Sequence, residues 1–294
     1  MKVISIETGN FKLDGGAMFG VVPKSMWQSL IPADDNNMCS WALRCLLIEE
    51  GERKILIDTG MGNKQDARFF SHYYLHGNDT LHASLAAHGY AAEDITDVML
   101  THLHFDHCGG AIVRKDNRLV TAFPNAVYWS NPLHWDWAVY PNEREKASFL
   151  RENILPIQES GQLQMIDIPE PDMSPKERLA EVSFTENISL RIVHGHTRAM
   201  MLPQIRCNGK ILVYMADLLP STHHIGLPYI MGYDLFPYTT LQEKKVFLKE
   251  ALDNNYWLFF EHDKETICCN LQPTEKGIRK QQQGTIDDWL QSKD

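Results

Sequence analysis

The chain has 294 residues with 28 basic and 38 acidic side chains, giving a formal charge of −10. That balance argues against a protein built to coat nucleic acid or an anionic membrane. With 44% hydrophobic and 22% charged residues the composition is globular rather than disordered. The amino terminus, MKVISIETGNFKLDGG, lacks the apolar run of a signal peptide, and no stretch is long and apolar enough to span a bilayer, so a soluble cytoplasmic protein is expected. Six cysteines without a CxxC pair are too few for a disulfide scaffold and read as buried thiols.

Short apolar runs at 44–48, 55–57, 98–100, 190–193, 211–215 and 258–260 are bounded by Gly, Asn, Asp or charge, and read as buried strands. Helical patterns fall at 80–88, ending at Gly89, at 141–153 and at 241–254. In the last of these Lys244 and Lys245 are expected outside, with Val246, Phe247, Leu248, Ala251 and Leu252 inside. An α/β protein with mixed sheets follows. The Pro-rich stretch 161–178 reads as a surface connection, and a single domain over 1–294 is expected.

Five of the runs end in polar residues of metal-ligand type: Asp58, Thr101-His102, His194-Gly195-His196, Ala216-Asp217 and Glu261-His262. Loops beyond strand ends are where α/β folds place their sites, so convergence is the economical reading. The densest signal is Thr101-His102-Leu103-His104-Phe105-Asp106-His107-Cys108-Gly109-Gly110. In extended backbone His102 and His104 share one face and can share one ion. A turn at Phe105 would aim Asp106 and His107 at a second ion, with Gly109-Gly110 allowing tight backbone packing behind them. Imidazole and carboxylate donors suit Zn²⁺, or Fe, Mn or Co, rather than Ca²⁺ or Mg²⁺. The other histidines, His72, His76, His82 and His88 among them, read as structural or exposed, and Cys108 as a small buried side chain.

THLHFDH resembles the metallo-β-lactamase superfamily signature, and GHT, ADLLPS and FEHD follow it in order along nearly the whole chain. The resemblance implies an αββα sandwich of two mixed sheets flanked by helices. It implies two divalent metals, with His102, His104 and His196 on one, Asp106, His107 and His262 on the other, and Asp217 bridging. His194 competes with His196, but the family places the ligand after the glycine. Asp58, in ILIDTG, is implied to orient ligands. Within the superfamily, 13–27, 123–130 and 216–237 resemble the N-acyl-homoserine lactonase branch that also resembles methyl parathion hydrolase. That branch implies opening of a lactone ester ring by a metal-bridging hydroxide, with Asp106 or Asp217 returning the proton to the leaving alkoxide. It further implies an arm, residues 11–41, that shapes the cleft and forms a homodimer contact, with Phe19 and Trp27 as walls for a small ester or lactone.

The chain departs from the branch at Pro220, where the lactonases carry a substrate-contacting Tyr. His224 is the nearest replacement donor, with His223 and Tyr233 behind it. A phosphotriesterase or arylesterase on the same centre is the closest rival reading. A non-catalytic metal-binding interaction protein is the rival from another class.

Overall fold

The computed structural model describes residues 1–292. The chain divides into two compact units, Met1–Phe11 with Ala42–Ile168, and Lys12–Trp41 with Pro169–Asp294. The boundary at Ile168 and Pro169 falls inside the Pro-rich connection, and the segment Lys12–Trp41 groups with the second unit.

The strands of the first sheet are β1 (Lys2–Asp14), β2 (Met38–Glu50), β3 (Arg53–Ile57), β4 (Asp97–Met99), β7 (Val127–Ser130) and β8 (Leu163–Met165), in the order β1-β2-β3-β4-β7-β8; β5 (Ile112–Lys115) and β6 (Arg118–Thr121) form a separate hairpin. β2 and β3 are antiparallel, whereas β3, β4, β7 and β8 run parallel, so the sheet is mixed. Residues 41–48 and all of β4 are buried without alternation, the mark of strands covered on both faces. Leu47, Leu56, Val98, Leu100, Phe123 and Ile157 belong to the first unit's core.

The second unit holds β9 (Ala180–Ser183), β10 (Ile188–Val193), β11 (Met200–Cys207), β12 (Lys210–Tyr214), β13 (Trp257–Phe259), β14 (Cys268–Thr274) and β15 (Gly277–Gly284), in the order β15-β14-β13-β12-β11-β10-β9. Only β12 and β13 pair in parallel. The edge strand β15 is built from Arg, Lys and Gln, side chains that discourage further pairing.

Two mixed sheets with helices are therefore observed, and each apolar run of the sequence lies in or at the end of a strand. Two helical expectations need correction. Residues 143–148 form turns instead: Asn142 caps them, its side-chain oxygen accepting from the N–H groups of Arg144 (2.9 Å) and Glu145 (3.2 Å) and its carbonyl from Lys146 N (3.0 Å), but the turns do not continue as a helix, which follows at Arg151–Glu159. The carboxyl-terminal pattern is a helix, Pro237–Asp253, but Lys244 lies on its buried side and only Lys245 is outside. All six cysteines are buried and none forms a disulfide. No helix among the described residues is long and apolar enough to cross a membrane.

Candidate metal centre

In the first unit the residue after β3 is Asp58, held at φ 56° in the left-handed region, fully buried and facing the start of the histidine motif. Its carboxylate accepts from Thr101 N (2.8 Å) and Thr101 Oγ1 (2.7 Å), and faces His107 Nδ1 at 3.1 Å. A carboxylate there fixes the His107 proton on Nδ1 and leaves Nε2 with its lone pair. Thr101 spends its hydroxyl proton on Asp58, so its oxygen accepts from His102 Nδ1 at 3.1 Å, and His102 is left in the same tautomer. One aspartate thus sets two imidazoles, directly and through a threonine.

The rings of His102 and His104 lie 4.6 Å apart, and those of His102 and His107 3.9 Å. Leu103 and Phe105 are buried beside them, and a short helix, Phe105–Cys108, carries Asp106 and His107. Asp106 Oδ2 stands 3.8 Å from His107 Nε2. The glycines behind the motif are required sterically. A Cβ on Gly109 would fall 2.0 Å from the Met61 carbonyl oxygen, and one on Gly110 would fall 2.1 Å from that of Thr59.

In the second unit β10 runs into His194-Gly195-His196, β12 into Asp217, and β13 into Glu261-His262. Ala216 at φ 41° turns the chain so that Asp217 stands out at the strand end. The two oxygens of Asp217 face two different rings: Oδ2 lies 3.1 Å from His196 Nε2, and Oδ1 lies 3.3 Å from His262 Nε2. Behind His196, Asp234 takes the Nδ1 proton at 2.9 Å. Burial opposes a charge on the His196 ring, yet Asp217 and Asp234 outweigh it and push its pKa up to about 10. The carboxylates that favour a proton on this buried ring would favour a metal cation there as well, and a donor set of imidazoles and carboxylates suits Zn²⁺. His102, His104, Asp106 and His107 are buried together in the first unit and His196, Asp217 and His262 in the second, each a buried His/Asp cluster with the donor chemistry of a metal site.

The residues expected to meet substrate lie differently. His224 Nε2 donates to the Met18 carbonyl (2.9 Å), its Nδ1 accepts from Ser221 Oγ (2.8 Å), and its ring stacks on Phe19 at 5.0 Å. Nε2 thus holds the arm and Nδ1 is held by His224's own loop. Phe19 and Trp27 are 0% and 1% exposed and stack on each other at 5.3 Å, so in this conformation they pack the arm and offer a substrate no surface. Tyr233 is 40% exposed. The exposed arm surface is instead Val21, Met26 and Leu30.

Burial holds the His224 pKa down to about 3, from an ordinary value of 6.5. The unfolded chain therefore binds a proton that the folded chain does not. The stability contribution is complete above pH 6.5 and is lost as pH falls from 6.5 toward 3. The urea midpoint of metal-free protein should fall across that window, and less steeply in His224→Gln. Parallel acid profiles for the two proteins would overturn this assignment.

Several supporting residues escaped the sequence reading. His134 Nε2 accepts from Leu103 N at 2.8 Å and so pins the motif backbone. Glu145, steered by Trp137 Nε1 and Asn142 Nδ2 on its Oε2, places Oε1 3.7 Å from His104 Nε2. Asp234 belongs to the same group. Glu145 and Asp234 are single polar residues in irregular segments and His134 lies in the short helix Pro132–Val139; neither periodicity nor spacing marks any of them.

Residues 44–262 match the model of the metallo-β-lactamase superfamily, and the chain belongs to that superfamily. An N-acyl homoserine lactonase of Bacillus cereus is 28% identical over 142 residues, 45% of this chain and 50% of the relative. The chain thus spans about half the length of the curated relatives it matches. A structure from Staphylococcus aureus, characterised as a probable metal-dependent hydrolase, is 25% identical with a TM-score of 0.85, covering 97% of this chain and 96% of that one. A dizinc quorum-quenching lactonase in complex with its product N-hexanoyl-L-homoserine is 21% identical with a TM-score of 0.76, covering 97% and 95%. At that identity the likeness speaks for the fold alone.

Proposed function

We propose that the protein is a dinuclear metal-dependent hydrolase that opens the ester ring of N-acyl-homoserine lactones or related lactones. The observation that carries this reading is Asp217, whose two oxygens address His196 and His262 separately. A carboxylate so placed is built to be shared between two cations. In this reading His102, His104 and His196 hold one ion, Asp106, His107 and His262 the other, and Asp217 both. When bound, two divalent ions supply Lewis acidity and make a hydroxide nucleophile available near neutral pH.

The chain's own groups do the rest. Asp58 and Asp234 keep the ligand imidazoles in the tautomer that presents Nε2. Asp106, 8% exposed, and Asp217, 7% exposed, are the carboxylates available to carry a proton to the departing alkoxide. Half-buried Phe69 and Tyr73, from the helix Ala67–Tyr73, pack on Phe105 at 5.3 and 4.6 Å, inside the histidine motif itself. They form an apolar wall beside Asp106 suited to an acyl chain, a task the sequence reading gave to Phe19 and Trp27. Burial and the charge of Asp106 push the Tyr73 phenol up to about 12, so it keeps its proton and can donate to a carbonyl. The likeness to lactonases supports the substrate class. The arm's exposed Val21, Met26 and Leu30 support a homodimer contact.

Ring opening of N-acyl-homoserine lactones of increasing chain length, with an aryl phosphotriester alongside, tests the proposal on metal-quantified protein. Lactone turnover is expected at kcat/KM above roughly 10⁴ M⁻¹s⁻¹, improving with chain length in the wild type and losing that trend in Phe69→Ala. Faster turnover of the phosphotriester than of any lactone would replace the lactonase reading with the phosphotriesterase one.

A further inference from the structure

The helix Pro237–Asp253 buries two consecutive charged residues, Glu243 at 0% and Lys244 at 1% exposure. The Glu243 carboxylate accepts from His194 N at 2.6 Å and Gly195 N at 3.1 Å, one N–H to each oxygen. The Lys244 ammonium donates to the carbonyls of Gly226 (3.0 Å) and Tyr229 (2.6 Å). Each charge thus meets the backbone of a different loop. The loop ending in His196 is further seated on the helix by Gly195, where a Cβ would fall 2.3 Å from Thr240 Oγ1 and 2.4 Å from Thr240 N. The loop held by Lys244 runs on to Asp234, the residue that takes the His196 Nδ1 proton, and rejoins the first loop through Leu235 N to His196 O (3.0 Å) and Phe236 N to Gly195 O (2.8 Å).

Two apolar side chains would pack this helix without the desolvation cost of burying two charges. What the charges add is direction. A carboxylate selects loop backbone presenting N–H groups, an ammonium selects backbone presenting carbonyls, and an apolar contact distinguishes neither. We propose that Glu243 and Lys244 are a pair of positioning residues that fix His196 by two routes, Glu243 through the backbone that carries it and Lys244 through the loop that carries Asp234. This rests on His196 being a metal ligand. Neither residue touches substrate.

The test uses the metal-loaded protein and its Glu243→Gln and Lys244→Met variants. Zn²⁺ dissociation constants are read by chelator competition, and the Co²⁺-substituted proteins by visible absorption. Each variant is expected to weaken one of the two ions by about tenfold or more, to leave the other within about threefold, and to shift the Co²⁺ bands. The double variant should fall short of the product of the single effects, because both routes end on one side chain. Lys244→Arg, which restores the charge, should recover most of the affinity. Unchanged affinities and spectra would overturn the proposal, as would equal weakening of both ions with a lowered melting temperature, the signature of a purely structural role. If either first variant fails to fold, Glu243→Asp and Lys244→Gln are read by the same criteria, and failure of those to fold also overturns it. Wild-type metal content and lactone turnover are measured separately, so a protein that binds two ions but opens no lactone removes the substrate reading and leaves this one standing.

Discussion

Asp217→Ala should cost the protein one of two bound metals and lower kcat/KM by roughly a thousandfold or more. The expectation follows from what the side chain faces. Its oxygens stand 3.1 and 3.3 Å from the Nε2 atoms of His196 and His262, and the residue is 7% exposed. Alanine removes the anionic group placed between those rings, and with it the donor proposed to be shared by the two ions. It also removes one of the two carboxylates available for proton transfer. Asp234→Asn should act on the same ring more gently, since an amide oxygen still accepts from His196 Nδ1 but without charge, and a loss of about 10–100-fold in metal affinity is expected. Elemental analysis after dialysis, together with turnover, checks both. An Asp217→Ala protein that keeps two metals and full activity would remove this residue from the centre.

The contrast between Asp217 and Asp234 shows which parts of the site were legible in the sequence. Asp58, His102, His196, Asp217 and His262 each follow an apolar run, and a strand end is a place a sequence can mark, because a run of aliphatic residues stops where a polar one begins. The motif around His102 was legible for a second reason: residues two apart in extended chain share a face. Asp234, Glu145, His134 and Glu243 carry no such mark. Their roles come from long-range contact, with 38 residues separating Asp234 from His196 and 49 separating Glu243 from His194. The burial of Lys244 was misread for a related reason. A helical wheel places lysine outside unless something inside can satisfy its charge, and the two loop carbonyls that do so are not visible in the periodicity. The resemblance to the lactonase branch implied Phe19 and Trp27 as cleft walls, whereas here Phe19 stacks on Trp27 and His224 and packs on Trp41. Strand β1 escaped because its threonine, glycine and asparagine interrupt the apolar pattern, and pairing with β2 supplies what propensity does not.

Gly109→Ala should be the most damaging single methyl group that can be added to the histidine motif. The glycine lies in the buried turn after the helix Phe105–Cys108, and its added Cβ would sit 2.0 Å from the Met61 carbonyl oxygen and 2.5 Å from the carbonyl carbon. Both are backbone atoms, so no side-chain rotation relieves the contact. The chain must move, either at 59–62 or at 104–110. The second segment carries Asp106 and His107, and Thr59 N is bonded to the His107 carbonyl at 2.7 Å, so displacement on either side reaches a proposed ligand. Overpacking of this kind costs about 1–3 kcal/mol where neighbours can adjust, and the backbone obstacle here places the expected loss at the upper end or beyond. Gly51→Ala is the matched control. Gly51 has φ 59°, so alanine there is strained, but nothing lies within 4 Å of the added Cβ, and a loss of about 1 kcal/mol is expected. Urea unfolding of the two metal-free variants separates steric collision from backbone strain. Metal titration of Gly109→Ala then shows whether the displacement reaches His107, through a weakened ion even where the protein still folds. Equal stability losses at the two glycines would show that the turn at 109 yields without cost and that its tight packing does not constrain the motif.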